Sequence, residues 1–206
     1  MRTLAWLVSG ALTAAAIVAI GGYVYVKVFA HGFSARVAPG KIESTIAALA
    51  LDAAIPRQAK GATNPVSDSA DVFMEARAHW ADHCAACHGN DGSGQVAQGQ
   101  QMYPPAPDMR KDTTQKKSDG ELFYIIENGV RLTGMPGWGG SKKHEQDSWK
   151  LVRFIRHLPQ LTAADVREME SLNPKTPDDI EEEKQEEEFL RGGTPVEPAP
   201  EHHHHH

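Results

Sequence analysis

The only two cysteines in this chain of 206 residues, Cys84 and Cys87, are separated by two alanines and followed at once by His88. Two thiols and an imidazole within one turn leave few chemistries open. A disulfide across so short a loop has poor geometry and adds little stability. A thioredoxin-like redox pair needs a βαβ setting, and no alternating run in the chain reads as a strand. A structural zinc ion wants four ligands, and this turn offers three. Covalent attachment of haem fits the pattern C-x-x-C-H: each thiol adds to a vinyl group on neighbouring pyrrole rings, and the adjacent imidazole is left beneath the iron as proximal ligand.

The address agrees with that chemistry. From Leu4 to Val26 there is no charged residue, a length sufficient to cross a hydrocarbon core of roughly 30 Å. Arg2 precedes the run, and Tyr23 and Tyr25 stand near its far end, as an interfacial belt would have. Signal-peptide apolar cores are shorter, about 7–15 residues, so an uncleaved anchor is expected, although Val28-Phe29-Ala30 offers a small-residue end. Lys27, Arg36 and Lys41 on the far side leave charge counting undecided about orientation. The site of c-type haem attachment decides it, placing the domain on the periplasmic face of the inner membrane.

After the anchor, Lys41 to Ile55 reads as a short amphipathic helix with Ile42, Ile46, Leu49 and Leu51 as its apolar contacts, packed on the domain or lying at the membrane surface. Residues 57–69 have the composition of a linker or an extended wrap. Asp71 to Cys84 predicts a helix with Val72, Ala76, Trp80 and Ala81 on one face. Ser118 with Glu121 predicts a capping box, and Gly129 a left-handed cap at the far end of that helix. A third helix is expected from about Gln146 to His157, then one opened by Thr162 and Asp165, and one from Pro177 to Gly192-Gly193. The division expected is an anchor over 1–30, a linker over 31–69, the haem domain over 70–160, an acidic helical extension over 161–192 and a Pro-rich tail over 193–206.

An electron-carrying iron needs a sixth ligand, which directs the search to a constrained loop downstream. Met135, in "GVRLTGMPGWGG", is the best candidate: glycines let the backbone approach the macrocycle and Pro136 stiffens the loop. Met102 and Met109 read as wall residues. His79, His83, His144 and His157 are weaker rivals, the first two because they share the helix of the cysteine motif.

These residues resemble the class I c-type cytochromes. Ala76, Trp80 and Cys84 stand at the four-residue steps of that family's first helix, with alanine in place of the usual glycine, and Leu151 and Phe154 match its last helix. The resemblance covers about 71–158. It implies an all-α fold of three main helices around one covalently bound haem, here with an N-terminal transmembrane helix and a C-terminal helical extension. It further implies thioether bonds at Cys84 and Cys87, axial ligation by His88 and Met135, and a carbonyl of Pro107, preferred over Pro105, accepting from the proximal imidazole. Arg110, Arg131 and Trp138 would meet the haem propionates.

Net charge is −6, and "DDIEEEKQEEEFL" alone holds eight acids and one lysine. The remainder is close to neutral, which argues against nucleic acid as a partner. The function expected is single-electron transfer between membrane and soluble redox proteins of a respiratory chain. Two alternatives stand: a cytochrome subunit of a larger membrane oxidoreductase, or a gas- or peroxide-reactive haem protein if Met135 leaves the iron open. The terminal run His202, His203, His204, His205 and His206 is either a purification tag or a tail binding copper, nickel or zinc.

Overall fold

The computed structural model describes residues 2–28 and 34–191. The oligohistidine run, the Pro-rich tail and Phe29-Ala30 of the cleavage-like sequence lie outside them. Among the described residues every regular element is helical.

Helix α1, Arg2–Val28, is predominantly apolar, with no charged residue between Arg2 and Lys27. At 1.5 Å per residue it is about 40 Å long, enough by length and composition to cross a membrane. Helix α2, Lys41–Ala54, buries none of its residues. Of its expected apolar contacts Ile42, Ile46 and Leu49 are open to solvent and Leu51 is half-buried. Ile55, one residue past its end, is buried.

The segment read as a linker or wrap takes the second form. Its short helix α3, Arg57–Lys60, packs on the helix at Asp119–Asn128, the Asn64 side chain donates to the carbonyl of Trp149 at 2.9 Å, and Arg153 reaches the carbonyl of Val66 through two nitrogens.

Helix α4, Ala70–His79, is capped by the Ser69 hydroxyl. The helix expected to run unchanged to Cys84 widens at Trp80 into a π-helical stretch, Trp80–Cys84, before α5, Ala85–His88, restores α geometry. Two one-turn helices follow, α6, Ala97–Gln101, and α7, Asp112–Gln115. Helix α8, Asp119–Asn128, opens on the capping box predicted from Ser118 and Glu121. Its end departs from expectation: Gly129 has φ +66° and ψ −169°, a region open to glycine alone rather than the left-handed helical one. Helix α9, Lys142–His157, starts four residues before Gln146, because Ser141 caps it by accepting from the His144 amide.

The core forms where α4 and α8 pack on α9. Trp80, Leu151, Val152, Phe154 and Ile155 are almost wholly buried. Phe154 packs its ring against both Phe73 and Trp80, at 5.6 and 5.4 Å between centroids, and Phe123 stacks on Trp149 at 4.0 Å. Helix α10, Ala163–Glu170, has the Thr162–Asp165 capping box and contributes Met169, with no exposure, to this same core. A packing boundary therefore does not fall at residue 160. Helix α11, Pro177–Leu190, carries the acidic run, and its Ile180, Phe189 and Leu190 are exposed.

Candidate haem site

The cysteine turn is built from below by Trp80. Its indole nitrogen donates to the carbonyl of Gly89 at 3.0 Å, tying the π-helical stretch to the residue just past His88. Its ring lies 5.8 Å from the His88 imidazole. The close approach of α6 depends on Gly99, where a methyl group would sit 2.0 Å from the carbonyl oxygen of Cys87.

Cys84 and Cys87 are both half-buried and unbridged. Burial, reinforced by the neighbouring Cys87, pushes the Cys84 thiol up to about 12, and burial raises Cys87 as well. The thiolate is the reactive form, so both sulfurs are held as neutral thiols on one turn. Burial also lowers the pKa of His88, keeping its ring neutral and fit to ligate.

The His88 ring leaves one polar atom unpaired. Its Nδ1 is buried and has no hydrogen-bond partner among the described residues, although a buried polar atom left alone costs about 1–3 kcal/mol. The bond expected from this nitrogen to Pro107 is not formed here. Pro107 is exposed at its side chain, and its carbonyl oxygen lies 3.2 Å from where a methyl on Gly94 would stand. Two neutral thiols and a neutral imidazole on one turn offer two sulfurs and one ring nitrogen to a single ligand. They fit a covalently held haem.

Met135 is half-buried in a loop whose backbone is closed on itself. The Val130 amide donates to the Met135 carbonyl at 3.1 Å; the Thr133 hydroxyl donates to Val130 and accepts from the Met135 amide. The loop is sewn onto α8 by Trp138 and Gly139 donating to the carbonyls of Ile126 and Glu127. Met102, read as a wall residue, packs its sulfur against Gly134, beside Met135.

The other candidates divide. Trp138 is half-buried with its ring edge-on to His83 at 5.4 Å, and Arg131 is exposed. Arg110 is already taken, held by Asp108 and by Asp91 at 3.0 Å. His79 and His83 stack on each other at 4.7 Å, and His157 pairs with Asp68 on the surface. Among the described residues no group of three or more His, Cys, Asp or Glu side chains is placed to hold a metal ion by itself. The supports that spacing did not reveal are Trp80 under His88, Thr133 beneath Met135 and Met102 against Gly134. Only Trp80 carried a signal, its place on the buried face of the motif's helix.

Residues 71–155, from α4 to within α9, match the family model described as cytochrome C oxidase, cbb3-type, subunit III. No curated protein matches the chain.

Proposed function

Starting from residues 71–155 as a c-type cytochrome domain, we propose that the chain is a membrane-anchored, single-haem electron carrier working on the periplasmic side. Cys84 and Cys87 would hold haem c through thioether bonds, and His88 and Met135 would ligate its iron. The observation that carries this reading is the turn that sets two unbridged, neutral thiols beside the neutral His88 imidazole over Trp80. Haem c supplies a one-electron couple, raised in potential where a thioether is one axial ligand.

The chain's own residues do the rest. With both His88 and Met135 ligating, the iron would have no position left for oxygen or peroxide. Trp80 and Phe154 exclude water behind the proximal ring. Thr133 holds the Met135 amide in place by accepting its hydrogen bond. Helix α1 anchors the domain, and the wrap at 57–69 seats it on α8 and α9 rather than leaving it on a free tether.

A second reading shares this site: the domain is a subunit of a membrane oxidase complex. The name of the matched family supports it, as does an acidic α11 with room to dock.

Expression with the machinery for c-type haem attachment tests the proposal. The haem should stay on the chain through denaturing electrophoresis, sediment with membranes and be released by protease added outside spheroplasts. Haem extracted by acidified acetone, or protected from that protease, overturns it. Co-migration with an oxidase in mild detergent would select the second reading.

A further inference from the structure

Helix α2 has two unlike faces. On one side it is fastened to the haem domain: the Tyr103 hydroxyl donates to the Glu43 carboxylate, Asp52 pairs with Lys60 at 2.7 Å, Leu51 is half-buried and Ile55 is buried just beyond the end. On the other, Ile42, Ile46 and Leu49 recur at steps of four and three, which aligns them in one stripe. They are 72%, 62% and 66% exposed.

The stripe lies beside the end of the membrane span. Twelve residues, 29–40, join α1 to α2, and at about 3.3–3.6 Å each they reach at most roughly 40 Å. A turn shortens this, since the Val37 amide returns to the Ser34 carbonyl. Tyr103 lies against Glu43, whose bond, with burial, pushes its hydroxyl up to about 12, and Tyr25 of the last turns of α1 adds to the effect. The cations at this point, Lys27, Arg36 and Lys41, suit anionic headgroups.

We propose that α2 lies in the outer interface of the bilayer, with Ile42, Ile46 and Leu49 in lipid, and so sets the haem domain down on the membrane surface. A helix of this kind sinks about 5–10 Å into the boundary between headgroups and acyl chains. Lipid, rather than another protein, is the occupant because the stripe faces away from the domain and begins at the exit of the span. Through Glu43 the helix holds Tyr103, and the neighbouring Met102 touches Gly134 beside Met135. The axial loop is thereby kept near the plane in which membrane partners move. This inference rests on the reading of α1 as an anchor.

The test uses the full haem-bearing chain in vesicles of phosphatidylcholine and phosphatidylglycerol. An environment-sensitive fluorophore is attached at Ile46→Cys or, on the other face, at Ser44→Cys, with the haem spectrum confirming an intact domain. At position 46 the label should be quenched by a nitroxide carried on a lipid chain and spared by aqueous iodide; at 44 the reverse is expected. A chain that floats with the vesicles while both positions are quenched by iodide overturns the proposal and leaves the anchor standing. Protection at 46 that grows with the ratio of protein to lipid marks a second copy and also overturns it. A chain that does not float overturns the anchor reading and this proposal with it.

Discussion

Gly129 stands directly over Met135: a methyl group on Gly129 would lie 2.7 Å from the Met135 carbonyl oxygen and 2.6 Å from the Gly137 amide nitrogen. The obstacle is backbone on every side, and φ is +66°. Strain of this kind costs about 1–3 kcal/mol. Gly129→Ala is therefore expected to destabilise the haem domain by at least that much and to weaken sulfur ligation, seen as a smaller charge-transfer band in the ferric spectrum. Gly134→Ala is the control. There the methyl meets the flexible end of Met102, which can turn aside, so the band should survive.

Thr133→Val keeps the shape of the side chain and removes both hydrogen bonds that fix the Met135 amide and the Val130 carbonyl. Each such bond contributes about 0.5–1.5 kcal/mol. The variant should fold with the wild-type helical content while losing sulfur ligation at a lower denaturant concentration than it unfolds. Coincident loss of both signals, as in a domain without a separately held loop, would argue against a positioning role for Thr133.

The helical extension divides in two. Met169 is fully buried in the core shared with Trp80 and Phe154, and a methionine truncated there costs about 2–5 kcal/mol. Met169→Ala should lower the thermal midpoint of the haem domain. Removal of everything beyond Lys175 should leave it unchanged, since Ile180, Phe189 and Leu190 of α11 are exposed. Equal midpoints for Met169→Ala and wild type would detach α10 from the domain.

The loop next to Pro107 carries a pH dependence of known sign. Hydrogen bonding from Arg110 holds the Asp108 carboxyl at about 2, below the usual carboxylate value near 3.9. A depressed pKa stabilises the fold above the unfolded value and loses that contribution as pH falls toward the folded one. Arg110→Gln should accordingly be less stable than wild type at neutral pH, with the difference closing as the solution is taken from about pH 4 to about pH 2. A difference in thermal midpoint that ignores pH over that range contradicts the assignment.

The spacing of Cys84, Cys87 and His88 can be read directly from the chain, and the structure sets them at the junction of the π-helical stretch and α5. Ser118 with Glu121 and Thr162 with Asp165 were legible too, where a cap is a local bargain between neighbours. The widening at Trp80 was not, because nothing local distinguishes a π-helical turn; it follows from the indole reaching Gly89 across nine residues. Met169 escaped for a related reason. Its helix reads as polar, and one buried side chain does not change that pattern. The wrap was half legible: Pro65 and Gly61 predict irregular backbone, but not that Asn64 bonds to Trp149 eighty-five residues away.

Whether His88 and Met135 both ligate the iron, as proposed, is read from the ferric optical spectrum of the full haem-bearing chain. A sulfur-to-iron charge-transfer band at the red end is expected at neutral pH, abolished by Met135→Leu, with no carbon monoxide adduct in the reduced wild type. Absence of that band together with ready carbon monoxide binding by the wild-type chain would contradict the proposed ligation.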